Sequence, residues 1–346
     1  MIQIERKKPK DIYFSDYQDI WVVSERKGES IKGVTFELLG KGKELAEKLG
    51  QKTCAVLLGR KTGSLCEELA AYGADKIYLA EADCLEEYTT DAHSAILAGL
   101  ISKHKPNIVL YPATKIGRDL APRVASILAT GLTADCTDLG IKEGLLVQTR
   151  PAFGGNVMAE IICRSTRPQM ATVRPNVMKK REPDYSREAN IVNFPVKIDS
   201  RGIRTVIKEI IRTTVKGVKS LDETEIIVSG GRGVGSKENF KIIERLAELL
   251  DGAVGVSRAV VDLGWRPKSY QVGQSGTRVS PKLYLALGIS GAIQHLVGIR
   301  GSDIIIAINK DPEAPIFGIA HYGIIGDLHQ VVPLLIEELE RLRCEM

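Results

Sequence analysis

The chain has 346 residues, enough for two ordinary domains whose sheets are buried on both faces. Hydrophobic residues make up 44% and charged residues 26%, close to the globular average, which excludes a disordered chain and one that resides in a bilayer. The net charge of +5 is scattered and aromatics are only 5%, so no stacking platform for bases exists and nucleic acid is not an expected partner.

The opening residues Met1 to Lys8 are charged and lack the apolar stretch of a secretory leader, which predicts a cytoplasmic protein. Strand and helix patterns then alternate. Trp21 to Val23, Cys54 to Leu58, Lys76 to Leu79 and Ile108 to Tyr111 read as strands. Glu37 to Leu49, Leu65 to Ala71, Ala92 to Lys103 and Arg118 to Leu128 read as the crossover segments between them, which implies a largely parallel sheet. After Gly131 the spacing shortens. Leu145 to Thr149, Val157 to Ile162 and Met170 to Val173, separated by turn residues such as Gly154-Gly155-Asn156, predict an antiparallel edge.

Arg174 to Arg187 reads as an exposed connector. Ile203 to Val215 fits a helix about as well as a strand, and its β-branched content favours strand. A domain boundary is placed near residue 216, giving an N-terminal domain over 1–215 and a C-terminal domain over 216–346. The second domain opens with a strand at Glu225 to Ser229, a glycine cluster over Gly230 to Gly235 and an amphipathic helix from Glu238 to Leu250. Leu328 to Leu342 reads as a closing amphipathic helix. The expected class is α/β, with two domains each built on a mainly parallel sheet flanked by helices.

Cys54, Cys66, Cys84, Cys136, Cys163 and Cys344 stand alone, without a Cys-x-x-Cys pair or metal-ligand spacing, so reduced thiols and no metal site are expected. The run Ile304 to Ile308 has the length of a buried strand, and no membrane insertion is expected.

The glycine cluster follows a strand and opens a helix, a position where bare amides can meet phosphate. It matches neither a dinucleotide fingerprint nor a P-loop, because Ser236 stands where each needs another residue. A plain strand-to-helix turn fits the glycines equally well. By composition alone, Ser257 to Asp262 and Gln271 to Gly276 read as surface loops.

The run from Leu283-Tyr284-Leu285 through Ser290-Gly291-Ala292-Ile293-Gln294-His295 and Gly298-Ile299 to Ala307-Ile308-Asn309 resembles the signature of electron transfer flavoprotein alpha subunits. The likeness extends to Ser229 to Gly233, Ser257-Arg258, Gln271 to Gly276 and Tyr322 to Leu328. In the first half it covers Gly117 to Arg123, Leu132 to Asp135 and Arg150 to Asn156. Ser275 stands where the family more often carries Thr, which keeps the hydroxyl and drops a methyl. Some family members carry an N-terminal iron-sulfur extension; the cysteine spacing here does not support one.

The resemblance implies a C-terminal domain that binds FAD and no catalytic residue in the bond-making sense. Arg258, Ser275 and His295 would tune the flavin: Arg258 as a positive charge beside the ring, Ser275 at N5, His295 as a donor to the C2 oxygen on a helix beginning near Ser290. Arg232, Ser257, Gln274, Ser290, Gln294, Asn309 and Asp327 would hold the ribityl chain, diphosphate and adenosine. Val272, Gly273, Gly276, Gly291, Ala292, Ile293 and Leu328 complete the implied cofactor-binding set. The implied partners are a beta subunit, against which the first domain would pack, and a dehydrogenase such as an acyl-CoA dehydrogenase; electron bifurcation with NADH stays open. The rival reading is a nicotinamide-binding component of a dehydrogenase or transhydrogenase, and a third is a non-redox nucleotide-binding scaffold.

Overall fold

The computed structural model describes residues 14–152, 157–196, 203–205, 207–210, 221 and 224–345. The chain divides into two units, one ending at Lys208 and the other running from Glu209. The boundary expected near 216, the turn at 154–156, the charged start and most of the ambiguous stretch ending at Val215 lie outside the described residues. Residues 203–205 and 207–210, the described part of that stretch, form neither helix nor strand.

In the first unit seven strands pair in parallel, in the spatial order Asn190–Asn193, Lys76–Glu81, Thr53–Gly59, Ile20–Val23, Ile108–Pro112, Gln169–Val173 and Leu132–Cys136. Side chains alternate across the sheet. Ile20 and Val22 join a core under the helix Gly33–Leu49, with Leu38, Leu39 and Leu45. Trp21 and Val23 join the opposite core, with Ile96 and Leu97 of the helix Thr90–His104 and Leu120 and Val124 of the helix Lys115–Leu128. Because both faces are covered, the central strands carry continuous apolar runs and each fully buried Leu or Ile contributes roughly 1.5–3 kcal/mol.

Two expectations are corrected here. Gln169–Val173 does not form an antiparallel edge; it lies inside the parallel sheet between Ile108–Pro112 and Leu132–Cys136, buried along its whole length. Five residues buried on two faces need strand neighbours on both edges, and a hairpin at a sheet margin could not supply them. The antiparallel sheet is instead Asp138–Lys142, Leu145–Ala152 and Val157–Ile162. The segment after Val173 is irregular, but Met178 is buried and Arg174 pairs with Asp135 at 2.7 Å, so its first turns are packed and not an exposed connector.

The second unit has five parallel strands ordered Ala253–Val256, Ile226–Gly230, Leu283–Leu287, Ile304–Asn309 and Tyr322–Ile325. Val228, Leu285 and Ile308 face the helices Phe240–Leu249 and Leu328–Glu345. Ile227, Tyr284 and Ala307 face the short helix Ile293–Ile299. The chain starts in the Ile226–Gly230 strand, moves one place outward to Ala253–Val256, then returns past it to Leu283–Leu287. The first and third strands of the unit are therefore neighbours whose onward connections diverge, and ligands of open parallel sheets bind in the crevice at such a reversal, beyond the carboxyl ends.

Candidate functional site

The loops that leave those two neighbouring strands are zipped together by backbone. Gly231 donates its amide to Leu287 O at 2.8 Å and Gly233 donates to Gly288 O at 3.0 Å. A Cβ on Gly231 would sit 2.1 Å from the Gly288 carbonyl oxygen, and one on Gly233 would sit 2.8 Å from Gly288 Cα. Gly231 and Gly233 are thus required by close approach of the two strand ends. Asn309 adds a further tie, donating from Nδ2 to Ile289 O at 2.9 Å while its Oδ1 accepts the Asp311 amide at 3.1 Å.

A second loop closes the other wall. Gln271 donates from Nε2 to Ser275 Oγ at 2.8 Å, and Gln274 donates its amide to Gln294 O at 2.7 Å. Gly273 has φ +138°, a conformation closed to most side chains, and Gly298 of the helix Ile293–Ile299 lies so close that a Cβ there would be 2.4 Å from Gly273 Cα. The loop and the helix carrying His295 are fitted together by two glycines.

Between these walls lies a cleft of about 670 Å³, within the size range of cofactor sites. It is lined by twelve of the residues proposed from sequence: Arg232, Ser257, Arg258, Val272, Gly273, Gln274, Ser275, Ser290, Ala292, Gln294, His295 and Asn309. Five others lie off it. Gly276 turns the loop against Gln271 O, and Gly291, at φ +87°, fits against the Ile316 backbone. Ile293 is exposed, Leu328 is in the core, and Asp327 pairs with Lys310 at 3.0 Å and accepts the His329 amide at 2.9 Å. Gly233, Ala259, Gln271, Gly288, Ile289 and Asp311 line the cleft without having been proposed. All of them except Asp311 adjoin a proposed residue or lie in a stretch that carries the family likeness; Asp311, two residues past Asn309, carried no signal of its own.

The helix expected near Ser290 begins only at Ile293, because the left-handed Gly291 cannot continue a helix backwards. Ser290 and Gly291 are loop residues. His295 is buried, and desolvation lowers its pKa from the ordinary 6.5 to about 4, with the Val272 carbonyl acting weakly against that. It is therefore neutral at pH 7, a donor without a charge. Its Nε2 is 2.9 Å from the Tyr284 hydroxyl, while Nδ1 completes no hydrogen bond among the described residues. The fixed positive charges on the cleft wall are Arg232 and Arg258, the latter exposed and 3.4 Å from Asp262.

A model of the electron transfer flavoprotein domain matches residues 20–199, and one of the electron transfer flavoprotein FAD-binding domain matches residues 220–300. The chain is 51% identical to the electron transfer flavoprotein subunit alpha of Thermoanaerobacterium thermosaccharolyticum, across 95% of this chain and 100% of that one. It is 47% identical to the electron transfer flavoprotein subunit alpha of Megasphaera elsdenii, across 94% and 98%. It is 42% identical to the acryloyl-CoA reductase electron transfer subunit beta of Anaerotignum propionicum, across 94% and 96%. The chain belongs to the electron transfer flavoprotein alpha-subunit family.

An electron transfer flavoprotein alpha subunit binds FAD, carries electrons, and works with a beta subunit and a redox partner. The cleft fits that cofactor on its own terms. Glycines at 233, 273 and 288 line it with bare backbone, two guanidiniums suit a diphosphate and a ring that gains negative charge on reduction, and His295 Nδ1 is a buried polar atom with an incomplete partner set. Among the described residues no helix is long and apolar enough to cross a membrane, and no group of three or more His, Cys, Asp or Glu is placed to hold a metal ion.

Proposed function

We propose that the cleft of the second unit takes the isoalloxazine and diphosphate of FAD, and that this chain's own residues set how readily the flavin accepts one electron. Bound flavin supplies the one-electron chemistry. Arg258 adds a permanent positive charge at the cleft wall, where it favours the more negative, reduced ring. His295 adds a neutral donor for the C2 oxygen, and Ser275 adds a hydroxyl within reach of N5. Arg232, with Ser257, Ser290 and Gln294, takes the diphosphate and ribityl chain.

The observation that carries this proposal is the convergence of twelve sequence-separated residues on one cleft at the topological reversal of the sheet. The first unit serves as the docking body for the beta subunit. The redox partner is a flavoprotein dehydrogenase acting on acyl-CoA thioesters, in keeping with the name of the acryloyl-CoA reductase relative. The test is co-expression with the beta chain and a flavin count on the purified complex. A yellow heterodimer that loses one FAD when Arg232 and Ser290 are both replaced by Glu is the expected result; a colourless complex, after incubation with FAD, would sink the proposal.

A further inference from the structure

Tyr284 and His295 form a buried pair behind the cleft. Tyr284 is fully buried in the Leu283–Leu287 strand, on the face covered by the helix that carries His295. Its hydroxyl lies 2.9 Å from His295 Nε2. Ser229, fully buried on the adjoining strand two residues beyond the one paired with Tyr284, has a hydroxyl that completes no hydrogen bond among the described residues. On the other side of the imidazole, Nδ1 is buried and completes no hydrogen bond among the described residues.

These neighbours are not symmetrical. Nε2 faces a phenol, which can donate or accept, whereas Nδ1 has no hydrogen-bond partner among the described residues. A neutral imidazole has one N–H. With that proton on Nδ1, Nε2 is bare and takes the Tyr284 O–H. With the proton on Nε2, Nδ1 would be a bare acceptor with no hydrogen to offer the cleft. Since Nε2 is engaged in the core, Nδ1 is the ring nitrogen left to donate to a group entering the cleft.

We propose that Tyr284 is a positioning residue for electron transfer: its hydroxyl donates to Nε2, fixes His295 as the Nδ1–H tautomer, and so makes the hydrogen bond that favours the first electron on the flavin. The proposal rests on the assignment of His295 as a flavin donor. Nothing covalent changes; the proton stays on Nδ1 and the phenol keeps its own.

The experiment uses the intact two-chain complex with FAD bound. Nitrogen NMR on histidine-labelled protein, with the His295 resonance assigned by its loss in His295→Ala, reads the tautomer. Spectroelectrochemical titration reads the potential of the first electron. In the native complex the proton resides on Nδ1. In Tyr284→Phe, which keeps the ring and removes the donor, the tautomer ratio shifts severalfold toward Nε2–H. The first-electron equilibrium weakens about tenfold, or about 59 mV for one electron, with flavin content unchanged. A native proton on Nε2 overturns the proposal even if Tyr284→Phe fails to fold, as does a Tyr284→Phe complex with unaltered tautomer and potential. If His295→Ala lowers the potential while Tyr284→Phe does not, the His295 assignment stands and the role of Tyr284 falls. If His295→Ala leaves the potential unchanged, both fall.

Discussion

Both units end their parallel strands at a crevice, yet they treat it in opposite ways. In the first unit the crevice beyond Ile20–Val23 and Ile108–Pro112 encloses only about 110 Å³. Glu25 fills the position at the head of the helix Lys115–Leu128, accepting from the Thr114 hydroxyl and pairing with Lys32 at 2.6 Å. An anion is favoured at a helix N-terminus, and here the protein's own carboxylate takes that place. In the second unit about 670 Å³ stays open at the reversal point: glycines let the loops that form its walls pack against each other, and Asp311 is the one carboxylate among the described residues that line it. A parallel sheet offers a ligand site by topology; whether it keeps one is decided by a few side chains at the strand ends.

Glycine substitutions should break that comparison most sharply. Gly231→Val must displace the Gly288 backbone, and overpacking of this kind costs about 3 kcal/mol. The expected outcome is a complex that purifies without flavin and melts earlier. In the first unit Gly117 is as tightly placed, its Cβ position being 1.8 Å from Pro112 O, so Gly117→Ala should also destabilise. Complexes that still form should keep their FAD. Equal flavin loss in both variants would show that the two crevices do not divide the work as argued.

Charge burial gives the next largest contrast. Glu37 is buried, accepts the Asn176 amide at 2.8 Å, and desolvation raises its pKa from 4.5 to about 7. The folded state therefore holds this proton more tightly than the unfolded state, so the stabilisation is full below 4.5 and is lost as pH rises through 7, by about 3 kcal/mol. His295 has the reverse sign: held at about 4 against 6.5, it favours the folded state above 6.5 and loses that contribution as pH falls through 4. His93 in the first unit, also lowered to about 4 by burial, partly offsets Glu37 there. Glu37→Gln should stabilise the protein at pH 8 and change little at pH 5, as read by thermal unfolding at the two pH values.

Much of this architecture could be read from residue order, and the failures have a common cause. Long apolar runs bounded by Gly and Pro, such as Thr53–Gly59, identify buried parallel strands because nothing else buries seven consecutive residues. Gln169–Val173 was misplaced because local turn spacing cannot report a partner more than thirty residues away. Leu132–Cys136 hid behind Thr133 and Asp135; Asp135 is satisfied by tertiary contacts, its amide donating to Thr172 Oγ1 and its carboxylate pairing with Arg174. At the cleft, the residues themselves were legible from the family likeness. The use of Gly231 and Gly233 for backbone approach and the pairing of His295 with Tyr284 were not, since both depend on distances between strands.

Arg258 and Asp311 put opposite charges on the cleft wall, and Arg258 is the more directly testable. Because it is exposed, its field is screened. Arg258→Glu should lower the first-electron potential by roughly 59 mV or less, about a tenfold change in the equilibrium at most. Arg258→Lys should restore most of the difference, because charge and not a guanidinium fork is what the argument needs. A Lys variant as low as the Glu variant would mean that Arg258 acts by hydrogen bonding geometry.

The smallest effect belongs to Ser275, and it separates a loop role from a flavin role. Gln271 is buried, and its Nε2 donates to Ser275 Oγ at 2.8 Å, so Ser275→Ala strands that donor at a cost of about 1 kcal/mol, or about fivefold in FAD affinity if the loop carries it. Ser275→Thr keeps the oxygen and adds a methyl that restricts χ1, so it should bind FAD at least as well. If Ala weakens binding and also shifts the potential while Thr does neither, the hydroxyl serves both the loop and N5. If Ala weakens binding with the potential unmoved, Ser275 holds Gln271 and leaves the tuning to Arg258 and His295, because losing a contact that distinguishes oxidised from reduced flavin must change the potential.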